Sequence, residues 1–108
     1  MKIIKEALEF LEQNKDLVGL HAYKVLLANE LHDLGGDYAQ VSIDMENRII
    51  KVVLSKEYEN HDDKRNILIH ELIHGRILLY RKVIKAHVDL FEEELVNDLT
   101  QGLMKFMK

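Results

Sequence analysis

Two histidines and a glutamate hold the most chemistry in this chain: His70, Glu71 and His74, within the stretch from Ile67 to Leu79. That stretch has no Pro and is strongly apolar, through Ile67, Leu68, Ile69, Leu72, Ile73, Ile77, Leu78 and Leu79. The pattern predicts a helix buried on nearly every face. On a helix, positions four apart share a face and are separated by about 6 Å along the axis, so both imidazoles can reach one cation. Glu71 is turned about a hundred degrees from His70 and flanks that ion, where its carboxylate can take a proton from water. Three unpaired ionisable groups in an oily helix would be destabilising by several kcal/mol, whereas a bound cation makes use of them as ligands and base.

His70-Glu71-Leu72-Ile73-His74 has the HExxH arrangement of two His ligands and a Glu general base used by zinc peptidases. A catalytic zinc needs a third protein ligand and one open position. His87, Glu92, Glu93 and Glu94 are the options. Glu94 is preferred because Asp98 lies four residues later on the same helical face, so a ligand and an acid supporting a ligating imidazole would point at the site together. Glu93 is the competing choice, with Asn97 as its weaker neighbour four residues on.

Composition narrows the class. At 108 residues, 47% apolar and 31% charged, the chain suits one domain with a single core. A net charge of -4 and the absence of a basic run argue against nucleic acid as a partner. With no Cys, a disulfide framework or a cysteine-based zinc site is excluded. The start, Met1-Lys2-Ile3-Ile4-Lys5-Glu6, meets charge too early for a secretory signal, and no apolar run reaches membrane-spanning length. A cytoplasmic protein with no membrane partner is expected.

The elements that must position the site follow from periodicity. Ile3, Ile4, Ala7, Leu8 and Leu11 form a helical stripe, predicting an N-terminal amphipathic helix to about Asn14. Leu20 to Leu27 alternates and reads as a strand, Asn29 to Leu34 as a short helix ended by Gly35-Gly36. Ala39 to Asp44 and Ile49 to Leu54 are two β-rich runs joined by Met45-Glu46-Asn47-Arg48, a hairpin whose Ile50, Val52 and Leu54 face the core. His61-Asp62-Asp63 caps the central helix, which makes His61 a cap neighbour rather than a ligand. After Leu79, Arg81, Lys82 and Lys85 suit a helix C-terminus. A last helix then begins near Asp89, with Leu90, Phe91, Leu95, Leu99, Leu103 and Phe106 or Met107 on its apolar side. The fold class expected is α+β: a small three-stranded, or slightly larger, sheet packed on a buried HExxH helix and a C-terminal glutamate helix, with the N-terminal helix alongside.

With Glu94-Leu95-Val96-Asn97-Asp98 beginning twenty positions after His74, the chain resembles the gluzincins, thermolysin-like metallopeptidases whose HExxH is followed at about that distance by an ExxxD motif. Over essentially its whole length it is most similar to the minigluzincins, single-domain relatives of archaeal type. The resemblance implies one zinc ion per chain, bound by His70, His74 and Glu94, with Glu71 as base and Asp98 hydrogen-bonded to the His70 ring. It implies an extended peptide or protein substrate laid along an exposed edge strand, either Ile49 to Leu54 or Ala39 to Asp44. Larger gluzincins stabilise the oxyanion with a further His and Tyr; Tyr80 and His87 are the nearby candidates here, each more often a surface or packing residue.

Two rival readings use the same ligands. The minigluzincins are described as zymogens, so a latent form is one, with His21, Asp89, Glu92 or the Lys108 carboxylate on the open zinc position, and a homodimer compatible with that state. The other is a catalytically silent, zinc-stabilised interaction module, dimerising through the first helix, in which Glu71 would have no task.

Overall fold

A computed structural model of the protein describes residues 1–104, apart from the Leu103 side chain; Phe106, Met107 and the Lys108 carboxylate lie outside the described residues. The chain begins with helix α1, Lys2–Asn14, whose Ile4, Ala7 and Leu11 are buried at the 3–4 spacing of one helical face. A single 3-10 turn, Lys15–Val18, closes at Gly19, whose φ of 73° is the left-handed conformation that glycine adopts without penalty. The expected strand from Leu20 is shorter than its alternation suggests: β1 is Lys24–Leu27. Leu20 to Tyr23 form a turn instead, because the Leu20 amide donates to the Lys15 carbonyl at 3.0 Å and that of Tyr23 to Leu20 at 3.0 Å. Leu20 is fully buried all the same, as a plug rather than a strand residue.

Asn29 to Leu34 is not helical. The His32 amide donates to the Leu54 carbonyl at 2.9 Å and its own carbonyl accepts from Lys56 at 3.1 Å, so this segment runs as an irregular extension beside β3. The hairpin forms as expected, with β2 Ala39–Asp44 antiparallel to β3 Ile49–Leu54. Asp44 braces its loop, accepting from the Asn47 amide at 3.1 Å and from Asn47 Nδ2 at 2.9 Å. β1 pairs with β3 in parallel, giving the order β1-β3-β2. Ile50, Val52 and Leu54 are buried along the central strand and Lys51 is exposed, the period-2 pattern of a sheet covered on one face. Since β3 is central, Ile49 to Leu54 is not an edge, and β2 is the outer strand on the hairpin side.

α1 is tied to β1 through Glu12, which accepts from the Val25 amide at 2.9 Å and pairs with Lys15 at 2.6 Å; Lys15 also donates to the Tyr23 carbonyl at 2.6 Å. Burial of the Glu12 carboxyl raises its pKa, but the Lys15 and Val25 hydrogen bonds and the charges of Lys15 and Lys24 outweigh this and hold it below 4.5.

The largest departure is the second helix. Instead of two helices with a turn after Leu79, one α-helix, α2, runs from Lys64–Met104. Asp63 caps it, its Oδ1 accepting from the Asn66 amide at 3.1 Å. No Pro interrupts the stretch and Gly75 is its only glycine before Gly102, while Leu, Glu, Lys and Arg recur through it. Arg81, Lys82 and Lys85 therefore sit mid-helix rather than at an end. Nor is the HExxH segment buried all round: Leu68, Leu72 and Gly75 face the sheet, whereas His70, Ile73, His74 and Ile77 are exposed. The sheet and α1 cover one side of α2, and among the described residues no layer lies on the other. Lys82 Nζ donates to the Ile43 carbonyl at 2.6 Å, the last hydrogen bond from α2 to the body among the described residues. Beyond it every described residue to Gln101 is exposed, and the molecule measures 72 × 29 × 20 Å. Among the described residues no helix is long and apolar enough to cross a membrane.

Candidate metal centre

The first four turns of α2 pack across β2, and Gly75 sets how closely. A Cβ at Gly75 would meet Val41, Ile43 and Leu20 side chains at 3.6–3.8 Å, so the helix backbone lies almost against the sheet. Leu68 and Leu72 are 2% and 1% exposed and lock the helical phase. With that phase set, Glu71 turns inward, while His70 and His74 lie on the flank.

The two imidazoles converge. Their Nε2 atoms are 2.9 Å apart, with ring centroids at 4.5 Å and planes inclined by 75°. Without an ion, one ring donates its Nε2 hydrogen to the bare Nε2 of the other. Two nitrogens bound to tetrahedral zinc at 2.0–2.1 Å stand about 3.3 Å apart, so a small opening of the pair makes it a two-point zinc donor. These two residues fit the metal by type and spacing.

Glu71 is only 8% exposed. Burial raises the pKa of its carboxyl, aided by the negative charge of Asp37, while any positive charge on His74 and His70 pulls the other way. Glu71 and His70 line an open cleft of about 340 Å³ with Asp37, Tyr38, Ala39 and His61. Ala39 begins β2, so the cleft opens beside the first residue of that strand. Asp37 and Tyr38 escaped the sequence reading, although Gly35-Gly36, with φ of 64° and 101°, marks the reversal that brings them there. His61 is more than a cap neighbour: its Nδ1 accepts from the Asp63 amide at 3.0 Å, and its ring meets Tyr38 edge-on at 4.6 Å on the cleft wall.

The remaining sequence candidates are not gathered here. Glu94 is twenty residues beyond His74 on the unbroken helix, about 30 Å along its axis, and Asp98 is a further turn away. Glu93 shares that displacement, and His87 lies about 20 Å from His74. Tyr80 is nearer but engaged with Arg76, whose Nη2 donates to its hydroxyl at 2.6 Å and whose guanidinium lies 4.4 Å from its ring centre. Arg76 also donates to the Gly19 carbonyl at 3.0 Å, anchoring Tyr80 to the body rather than to the cleft. His21 is exposed in the turn before β1, and Asp89 and Glu92 are exposed on the far half of α2. Among the described residues, no set of three or more His, Asp or Glu stands ready to hold a metal. In comparisons with protein-family models, curated proteins and solved structures, nothing matches the chain.

Proposed function

We propose that this protein is a zinc-dependent endopeptidase, and the observation supporting it most directly is the 2.9 Å convergence of His70 and His74 beside the buried Glu71. His70 and His74 supply two ligands. Glu94 is the third, and it reaches them when α2 bends between Leu79 and Asp89, an interval that, among the described residues, has no hydrogen bond to the body beyond Lys82. Asp98, one turn later, then supports the His70 ring. Bound zinc supplies Lewis acidity, polarising a carbonyl and lowering the pKa of water to about 7.

The chain's own residues do the rest. Glu71 holds the attacking water, takes its proton and passes that proton to the leaving amine. Burial favours its protonated form, which makes the bare carboxylate a stronger base than an exposed glutamate. A peptide in extended form adds to the outer edge of β2, where main-chain hydrogen bonds align it and the cleft around Asp37, Tyr38 and His61 selects side chains. The straight helix, with Glu94 withdrawn, corresponds to a latent form.

The test is metal content and cleavage of a quenched peptide library on one sample, with and without chelator. One zinc per chain with chelator-sensitive cleavage is expected. Failure to take up zinc would overturn the reading. The exposed apolar residues of α2 favour a second reading, a catalytically silent zinc-stabilised interaction module. A hydroxamate that binds the zinc-loaded protein separates the two, because a closed four-ligand site has no position for it.

A further inference from the structure

The Ser55 amide donates to the Tyr38 carbonyl at 2.9 Å, and this bond fixes which backbone groups of β2 are open. With Ala39 opposite Leu54, the groups of Tyr38, Gln40, Ser42 and Asp44 turn to β3, and those of Ala39, Val41 and Ile43 point to the outer edge. The Ile43 carbonyl is already taken by Lys82 Nζ at 2.6 Å. An added strand therefore pairs at Ala39 and Val41 and stops before Ile43. Val41 and Ile43 turn their side chains to Gly75 of α2, and Ala39 shares their face by the period of two. A residue placed directly opposite Ala39 points its side chain to the α2 face as well. There the cleft of about 340 Å³ opens, between Asp37, Tyr38, His61 and Glu71.

This cleft is acidic and lacks a cation. Asp37 and Glu71 line it, and no Lys or Arg does. Glu71 is 92% buried and, among the described residues, its carboxylate has no hydrogen-bond or ion-pair partner, although it lies within reach of the negative charge of Asp37. Asp37 Oδ2 accepts from Gln40 at 3.4 Å, which leaves its Oδ1 without a partner among the described residues. Tyr38 is 44% exposed and its ring is braced edge-on by His61 at 4.6 Å. A second hollow of about 380 Å³ shares Gly36, Tyr38 and His61 and adds Glu57 and Asp62, again without Lys or Arg.

We infer that the cleft is the subsite for an arginine side chain, carried by the peptide residue opposite Ala39, and that the substrates are basic peptides or proteins. Turnover of such a peptide rests on the peptidase reading, whereas binding of the side chain does not. The guanidinium offers Asp37 a fork of donors and lays its plane on Tyr38; a lysine ammonium pairs with Asp37 but stacks less well. An acidic side chain would face two carboxylates and is rejected. The cleft volume is at the low end for ligand pockets, roughly 300–1,000 Å³, which suits one long side chain. Glu57 and Asp62 extend the same negative surface and draw further basic residues of the substrate towards it.

The experiment uses the full chain in chelator, so that binding is read apart from metal and turnover. Fluorescence anisotropy compares short labelled peptides identical but for one position, which is Arg, norleucine or Glu. The Arg peptide is expected to bind roughly tenfold tighter than the norleucine peptide, the Glu peptide to bind most weakly, and the differences to shrink with added salt. Asp37 is exposed, so its substitution spares the core. Asp37→Asn is expected to remove most of the preference and Asp37→Arg to turn it towards the Glu peptide. Equal affinity for the three peptides, binding of none, or an unchanged preference in both variants would each overturn the subsite. Zinc-loaded protein that cleaves a peptide library without favouring Arg would overturn it too, and would leave the peptidase reading standing. Failure to take up zinc would overturn that reading alone, since anisotropy in chelator still decides the subsite.

Discussion

His74 and Glu94 stand on one unbroken helix, twenty residues and about 30 Å apart, although the proposed site needs both at one ion. Zinc binding therefore reports on the bend as well as on the ligands. His70→Ala and His74→Ala are each expected to abolish stoichiometric zinc, measured by equilibrium dialysis. Glu94→Ala should weaken zinc retention, whereas Glu93→Ala should leave it unchanged. The reverse order for the two glutamates would place the third ligand one residue earlier.

Glu71→Gln keeps the size and most of the packing of the side chain but cannot take a proton. Turnover should fall by roughly a hundredfold or more, the usual contribution of a positioned general base, with zinc content unchanged. Retained activity in a pure sample would remove Glu71 from that role.

Gly75 offers a stability test of the packing that holds the site. Its added Cβ would meet Val41, Ile43 and Leu20 at ordinary van der Waals distances, and Ala is preferred over Gly inside a helix. Gly75→Ala is expected to stabilise the protein by about 0.5–1 kcal/mol, visible as a higher midpoint in thermal unfolding. Gly75→Leu overfills the same space and should lower that midpoint by pushing α2 off β2.

Glu12 makes a pH-dependent tie between α1 and β1. Its folded pKa lies below 4.5, so its contribution is present above pH 4.5 and is lost as pH falls through the folded value. Glu12→Gln should lose about 0.5–1 kcal/mol at neutral pH, a modest figure because the pair is partly exposed. Urea unfolding across pH checks this: the gap between wild type and variant should close in acid, and a gap independent of pH would deny the carboxylate this role.

Much of the local structure is legible in the residues themselves. The 3–4 spacing of Ile4, Ala7 and Leu11 marks α1, the alternation of Ile50, Val52 and Leu54 marks the covered face of β3, and both hairpin strands keep the bounds their β-rich runs predict. The four-residue interval between His70 and His74 brings their rings together because helical periodicity alone does so. Such features depend on near neighbours in the chain. Where a segment's state depends on distant partners, sequence pattern misleads: Leu20 to Tyr23 alternates like a strand yet turns, and Asn29 to Leu34 extends beside β3 through backbone hydrogen bonds to residues far along the chain.

Tertiary structure alone decided which strand is central. The parallel pairing of β1 with β3 makes β2 the outer strand on the hairpin side, a consequence of long-range pairing that no local run of residues encodes. It also turned Glu71 inward and brought Asp37, Tyr38 and His61 to the same cleft from two different loops. Arg81, Lys82 and Lys85 suit a helix end by charge, yet favourable helix propensity carries α2 through them, because a small electrostatic preference at a terminus does not break a run of good helix formers. The donor types were set by sequence; whether Glu94 shares a site with His74 was set by the path of one helix.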